Sequence, residues 1–150
     1  QDQRAFVSGD ANAALVTAID IGERTDIHPA NKALLGARLA MAAQGSPLPM
    51  PMQAMRTQGR IRISFSGIEG SLAAWSAAAP IGFELCGDAQ ESCRYAQARI
   101  SGADVWLEDD GHAASRVRYA WGDSPIVNLF DGRALPVPGF ELPIRSEAQP

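Results

Sequence analysis

The sequence predicts a short α/β segment followed by an antiparallel β-sandwich. Residues 1–45 contain an unbroken apolar run and then apolar residues at helical spacing, whereas the later residues alternate between apolar and polar. A connector, residues 46–51, has three prolines that stiffen it and separates the two patterns. We therefore expect one unit over residues 1–45 and a second over residues 46–150.

The first unit is predicted to be helix, strand, loop and helix. Residues 1–8 resemble the end of a helix, and the apolar run at residues 13–19 suits a strand buried on both faces, as in a parallel sheet. Pro29 suits the first turn of a helix over about residues 29–43, and Gly45 suits its end. A single parallel strand has no partner, so we do not expect this unit to be a stable domain alone.

The second unit shows the period of two that is typical of strands with one buried face. Ile61, Ile63 and Phe65 alternate with polar residues, and Gly or Asp turns separate this run from similar ones. These runs lie at residues 60–65, 83–85, 96–100, 105–107 and 116–121. Because the tail is rich in proline, residues 135–150 are predicted to be irregular.

Composition places the chain among folded globular proteins. Hydrophobic residues make up 46% of the 150 residues and charged residues 20%. The net charge of -4, without a Lys/Arg cluster, argues against nucleic acid and anionic membranes as partners. No apolar stretch is long enough to span a membrane, and no signal peptide is present. Because the first residue is Gln1 and not Met, we expect a processed or truncated product.

Two cysteines, Cys86 and Cys93, bracket a polar turn between two strand-like runs. A disulfide across the ends of that hairpin is geometrically easy, and it would place the protein in the periplasm or outside the cell. The alternative is two unpaired thiols. A metal site is disfavoured because two cysteines and two histidines show no ligand spacing.

Asp26 and His28 stand in a loop at the carboxyl end of the predicted strand, where open α/β sheets place catalytic groups. A histidine can take a proton from a hydroxyl nucleophile, and a carboxylate can orient the ring and stabilise the imidazolium. The alternative is an aspartate that caps the next helix beside a surface histidine. Two residues are too few to form a specific motif.

Two groups of residues resemble sialate O-acetylesterase-type enzymes of the SGNH hydrolases. The sequences VTAIDIGE (residues 16–23), DIHPANK (residues 26–32) and GARLA (residues 36–40) resemble the end of their hydrolase domain. Downstream, VRYAW (residues 117–121), with Pro125, Asn128-Leu129-Phe130 and Leu135-Pro136, resembles their C-terminal β-domain. The group also includes esterases that deacetylate plant polysaccharides such as xylan or xyloglucan.

The resemblance implies hydrolysis of acetyl esters on carbohydrates by a Ser-His-Asp mechanism without a cofactor or metal. His28 would be the general base and Asp26 the residue that orients it. Many SGNH enzymes have Asp-x-x-His, which would place the aspartate at Thr25, whereas the Asp-x-His found here is expected for the sialate esterase branch. Asp20 is an alternative partner of His28, or a carboxylate at the end of a strand.

The nucleophile is expected in a partner polypeptide. In the family the serine and the oxyanion-hole residues precede the Asp-x-His block, and this chain has no matching block there. Gly122-Asp123-Ser124 follows a predicted strand, but it lies after His28 and inside the β-domain match. Pro125 also argues against a helix that would present free N–H groups after Ser124, so a permuted active site is disfavoured.

The remaining candidates are weaker. His112 is expected in a turn, and Glu108-Asp109-Asp110 could bind a cation but suits a solvated turn better. Three tryptophans could form a sugar-stacking platform; Trp121 is predicted in the core, and Trp75 is the one most expected to be exposed. The hydrolase hypothesis has one alternative, a non-catalytic β-sandwich fragment with a structural or carbohydrate-binding role. The three tryptophans of the chain are Trp75, Trp106 and Trp121.

Overall fold

The computed structural model describes residues 2–28 and 30–146, and most of the regular structure in them is β-strand. Two helices precede ten strands in this described part. The helices are α1 (Asp2–Ser8) and α2 (Lys32–Ala43). The strands are β1 (Met50–Thr57), β2 (Arg60–Ser66), β3 (Ala73–Ala74), β4 (Phe83–Cys86), β5 (Arg94–Tyr95), β6 (Ala98–Ser101), β7 (Asp104–Glu108), β8 (Arg116–Tyr119), β9 (Leu129–Phe130) and β10 (Phe140–Ser146).

Eight strands form one curled sheet in the order β5-β4-β8-β10-β1-β2-β7-β6, and β3 pairs with β9 in a small second sheet. The predicted alternation is confirmed in β2, where Ile61 and Ile63 are buried and the intervening arginines are exposed. Similar alternation places Val117 and Tyr119 of β8 in the core. The period of two therefore identified which residues build the core.

Strand β10 connects the two halves of the sheet. Its first part pairs antiparallel with β8 from Phe140 to Pro143, and its second part pairs parallel with β1 from Ile144 to Ser146. A strand that passes from one ladder to another lets a sheet bend around a common core. The fold is therefore β-rich and consistent with a sandwich, but its sheet is mixed, with one parallel pair.

The prediction that the tail is irregular is wrong for residues 140–146, because these form a central strand. Pro143 is the last residue to pair with β8, and the ladder with β1 begins one residue later. A proline lacks the N–H that a continuous ladder needs, and at this change of partner the loss is tolerated. The rest of the predicted tail, residues 147–150, lies outside the described residues.

The predicted strand at residues 13–19 does not form. A parallel strand needs a neighbour for its backbone hydrogen bonds, and the described residues provide none beside this segment. Instead, Leu15, Val16 and Thr17 line a small apolar cavity together with Leu135 and Pro136 of the tail. The predicted helix–strand–helix unit is therefore not established by the structure.

The helices agree with the predicted positions within a few residues. Helix α1 ends at Ser8 as predicted, whereas α2 begins at Lys32, where the Asn31 side chain accepts a hydrogen bond from the Leu34 amide. Pro29 and Gln1 lie outside the described residues. No helix in the described ranges is long and apolar enough to cross a membrane.

Gly67 is a position where the fold requires glycine. Its φ is +68°, and a Cβ there would lie 2.0 Å from the Leu48 carbonyl oxygen. Gly59 has a similar φ of +71° but has open space around it. The backbone conformation alone therefore disfavours a side chain at both positions, whereas a steric clash exists only at Gly67.

We expect Gly67→Ala to destabilise the fold more than the matched control Gly59→Ala. The control should cost about 1 kcal/mol for the left-handed backbone. Gly67→Ala should cost roughly 2 kcal/mol more, because the connector at Leu48 must move. Urea denaturation of both variants measures the difference, and equal free energies of unfolding would contradict the close approach.

Candidate functional site

The loop that carries Asp26 and His28 is exposed and contains a tight local turn. Oδ1 of Asp26 accepts a hydrogen bond of 2.7 Å from the backbone N–H of His28, which is an Asx turn. The two residues therefore lie together, but the contact runs through the backbone of His28 and not through its ring. Oδ2 of Asp26 has no hydrogen-bond partner among the described residues, so it is free to accept from another donor.

The same turn occurs at the second Asp-x-His sequence. Oδ1 of Asp110 accepts a hydrogen bond of 3.1 Å from the backbone N–H of His112. The two sites differ in charge, because Asp110 is bound by the guanidinium of Arg94, which holds the pKa of that carboxyl well below its usual range. Within residues 2–28 and 30–146 no arginine or lysine forms a salt bridge with Asp26.

Asp20 is held by a buried arginine. Its Oδ1 and Oδ2 accept hydrogen bonds of 2.7 Å each from Nη1 and Nη2 of Arg38, which is 3% exposed. Nη1 of Arg38 also donates to the Thr17 carbonyl oxygen at 3.0 Å. Both carboxylate oxygens bind Arg38, so Asp20 is an anchor between the loop and α2. No hydrogen bond joins Asp20 to His28 among the described residues.

Tyr119 lies close enough to Asp20 to sense its charge. Burial raises the pKa of the Tyr119 phenol, and the negative charge of Asp20 raises it further, while the backbone of Leu129 and Asn128 opposes the shift. The phenol therefore stays protonated at neutral pH. A Cβ at Gly139 would lie 3.4 Å from the Tyr119 carbonyl oxygen and 3.5 Å from Cδ1 of Ile19, so the start of the candidate loop lies near the end of β8.

Ser124 has no catalytic surroundings in the structure. It lies in an exposed turn with a left-handed backbone, φ +49°, two residues beyond Gly122. No hydrogen bond joins it to a histidine or a carboxylate in the described part of the chain. A nucleophile needs a base within hydrogen-bond reach, so the local geometry does not favour Ser124.

The acidic turn is neutralised by arginines. Asp109 accepts a hydrogen bond of 2.7 Å from Nε of Arg56, and Asp110 is bound by Arg94. No group of three potential metal ligands occurs among the residues that the structure describes. The turn therefore serves to connect β7 to neighbouring strands.

Next to it, Cys86 and Cys93 form a disulfide with an S–S distance of 2.06 Å at the ends of β4 and β5.

The tryptophans do not form one platform. Trp75 is exposed, as predicted, but stacks on Phe130 with ring centroids 4.2 Å apart. Trp106 lies under the guanidinium of Arg60 on the other half of the sheet. The prediction that Trp121 belongs to the core is wrong, because it is 40% exposed. Strand β8 ends at Tyr119, and Ala120 with φ +52° breaks the alternation before Trp121.

An open groove of about 1130 Å³ lies beside Trp121. Sequence reasoning missed its most exposed aromatic residue, Tyr95, which is 85% exposed on β5. A signal was present in the sequence, because Ala96, Ala98 and Ile100 are expected to share one face and Tyr95 is out of phase with them. The residues that line the groove are Ala78, Ala79, Pro80, Ile81, Gly82, Phe83, Glu84, Tyr95, Ala96, Gln97, Ala98, Arg99, Ile100, Ala120, Trp121, Gly122, Pro125 and Ile126.

Comparison with solved structures relates the chain to carbohydrate esterases. A novel carbohydrate acetylesterase from Xanthomonas citri matches 84% of this chain at 34% identity with a TM-score of 0.73. The chain spans 31% of the length of that protein. Domains 1–6 of the surface layer protein SbsC match 81% of the chain and 17% of that protein, at 12% identity and a TM-score of 0.47, which carries no information on function. No protein-family model and no curated protein matches the chain.

Proposed function

We propose that this chain is part of a carbohydrate O-acetylesterase of the SGNH type, in which His28 is the general base and Asp26 orients it. The substrates are acetyl esters on sialic acid or on plant polysaccharides such as xyloglucan or xylan. The observation that carries the proposal is the 34% identity to a carbohydrate acetylesterase over 84% of the chain. The disulfide is compatible with a periplasmic or secreted location.

The proposed reaction is acyl transfer in two steps. His28 takes the proton of a serine hydroxyl as the serine attacks the acetyl carbonyl, and then gives that proton to the departing sugar oxygen. Water next attacks the acetyl-serine while His28 accepts its proton, and His28 then returns that proton to the serine oxygen as acetate leaves. The free Oδ2 of Asp26 supports an orienting role, because a carboxylate without a cation partner can stabilise the imidazolium.

The serine belongs, in this proposal, to a partner polypeptide with the preceding part of the SGNH domain. Three large apolar side chains are exposed on the two helices, Phe6, Leu34 and Leu39. Residues 13–18 are apolar and lack a strand partner within the described ranges. Both features suit a surface that another polypeptide covers, by pairing a strand with this segment and packing on the helices.

A fluorophosphonate that reacts with activated serines tests this division of the active site. We expect the label on a serine of the partner polypeptide in the assembled enzyme, identified by peptide mass spectrometry. The isolated chain should remain unlabelled and inactive on p-nitrophenyl acetate, because a base alone does not form the acyl intermediate. Labelling of Ser124 in the isolated chain would contradict the proposal and support a permuted site.

A further inference from the structure

The groove beside Trp121 is lined by β4 and β5 at one edge of the curled sheet, by β6 at its other edge, and by the loop residues around Pro80 and Trp121. The strand registers of β5, β4, β8 and β10 align four side chains in one row, Tyr95, Glu84, Arg118 and Glu141. Tyr95 and Glu84 of this row line the groove. The neighbouring row, with Phe83, points into the core. The row is therefore a surface feature that rigid strands position, which is the kind of scaffold that holds binding groups in place.

Trp121 is fixed from one side. The guanidinium carbon of Arg118 lies 4.7 Å from the centroid of its ring. Arg118 donates two hydrogen bonds that fix its position. Its Nε donates to Oε2 of Glu141 at 2.6 Å, and its Nη1 donates to Sγ of Cys93 at 3.2 Å. A ring supported in this way loses little further freedom when a ligand stacks on it. Tyr95, on the adjacent edge strand, offers a second exposed ring.

The charges in the groove balance. Among the residues that line it, Glu84 and Arg99 carry one negative and one positive charge, and Arg99 also lies 3.6 Å from Glu108. The charge of Arg118 beneath Trp121 is paired with Glu141. Glu141 is shared with Arg116, 3.7 Å away, but Arg116, Arg118 and Glu141 do not line the groove. Neither sign is in excess among the lining residues, so the groove is suited to an uncharged ligand.

The size of the groove suits a chain of sugars. Its volume of about 1130 Å³ exceeds the range of about 300–1,000 Å³ that is common for small-molecule pockets. A pyranose ring has an apolar C–H face that can stack on an aromatic side chain, and hydroxyl groups at its edge. Glu84, Gln97 and Arg99 supply acceptors and donors for such hydroxyl groups.

One end of the groove adjoins the base of the candidate catalytic loop. A Cβ at Gly139 would lie 3.0 Å from the Ala120 carbonyl oxygen and 3.5 Å from Cδ1 of Ile19. Ala120 lines the groove, and Ile19 directly precedes Asp20, where the loop begins. A ligand that reaches Ala120 in the groove would therefore lie near the start of the candidate catalytic loop.

We propose that this groove binds an uncharged polysaccharide chain, with sugar rings stacked on Trp121 and Tyr95, and so retains the substrate beside the esterase site. The proposal rests on the proposed function for the presence of a carbohydrate substrate. It also narrows that function, because a neutral plant polysaccharide suits the balanced groove and an anionic sialoside does not.

Isothermal titration calorimetry on the full chain tests the groove without any hydrolysis. The probes are non-acetylated xylohexaose and xyloglucan oligosaccharide as neutral chains, and sialyllactose as an anionic saccharide. We expect a neutral probe to bind and sialyllactose not to bind. Trp121→Ala and Tyr95→Ala should each weaken binding by about tenfold or more, since each removes an aromatic anchor.

Trp106→Ala is the matched control, because Trp106 also lies under an arginine, 5.0 Å from Arg60, but outside the groove. It should keep the affinity of the unmodified chain. If Trp121→Ala fails to fold, Tyr95→Ala still tests the groove. The Tyr95 ring is 85% exposed, so its removal should leave the fold intact. Failure of every probe to bind the folded chain, equal affinity in all variants, or preference for sialyllactose would each overturn the proposal.

The catalytic role of His28 and the binding of a polysaccharide in the groove can be refuted independently of each other. His28→Ala should abolish acetyl-ester hydrolysis in the assembled enzyme and keep the affinity for the neutral probe. Loss of binding in Tyr95→Ala together with an active His28→Ala enzyme would refute the catalytic assignment alone. An inactive His28→Ala enzyme together with no binding of any saccharide would refute the groove alone.

Discussion

His28→Ala should lower kcat for acetyl-ester hydrolysis by several orders of magnitude in the assembled enzyme. Without the imidazole, the loop lacks the general base that takes the proton of the attacking serine and returns it to the sugar oxygen. Because His28 is exposed, its replacement should leave the fold intact. Acetate release from an acetylated polysaccharide, with p-nitrophenyl acetate as a small substrate, measures the effect.

His112→Ala is the matched control for His28→Ala. Both histidines follow an aspartate by two residues, both are exposed, and both have the same Asx turn. His112→Ala should retain kcat, because the carboxylate beside His112 is occupied by Arg94. An enzyme that loses activity equally in the two variants, or that keeps it in His28→Ala, would contradict the assignment of His28.

Asp26→Asn separates orientation from proton transfer. The amide oxygen of asparagine can still accept the backbone hydrogen bond from His28, so the turn should be retained. The amide carries no negative charge to stabilise the imidazolium, so kcat should fall, although by less than in His28→Ala. An unchanged kcat in Asp26→Asn would assign Asp26 to the turn alone.

Local periodicity predicted the strands well because each strand buries one face. In β2 and β8 the apolar positions that alternate in the sequence are the buried ones in the structure. The prediction failed where a distant partner decides the conformation. Residues 13–18 have the composition of a strand but no neighbouring strand in the described chain, and β10 forms despite Pro143 because two strands flank it.

Spacing in the sequence could identify the Asp26–His28 loop as a candidate site, but it could not show that this loop is a better candidate than Asp110 and His112. Its Asx turn is repeated at Asp110 and His112, so the local geometry of the two sites is similar. Two contacts distinguish Asp110 and His112 from Asp26 and His28. Arg94 of β5 binds the Asp110 carboxylate, and Nδ1 of the His112 ring lies 3.7 Å from Oδ1 of Asp110. Contacts such as that of Arg94 join residues far apart in sequence, and neither propensity nor periodicity encodes them.

Arg38→Met should destabilise the chain by about 3–5 kcal/mol, because it leaves the carboxylate of Asp20 largely buried without a partner. The Asp20 side chain is 13% exposed, so water can replace only a small part of the lost interaction. The loss also removes the bond from Arg38 to the Thr17 carbonyl, which helps to hold the start of the loop against α2. Urea denaturation gives the free energy of unfolding.

Arg62→Met is the matched control, since Arg62 binds Asp104 at 2.8 Å while its side chain is 50% exposed. It should cost less than about 1 kcal/mol, as is usual for a surface pair. The double variant Asp20→Leu/Arg38→Met should be milder than Arg38→Met alone, because it leaves no charge unpaired. Equal losses in Arg38→Met and Arg62→Met would mean that the pair does not anchor the loop, and Asp20 would again be a candidate partner for His28.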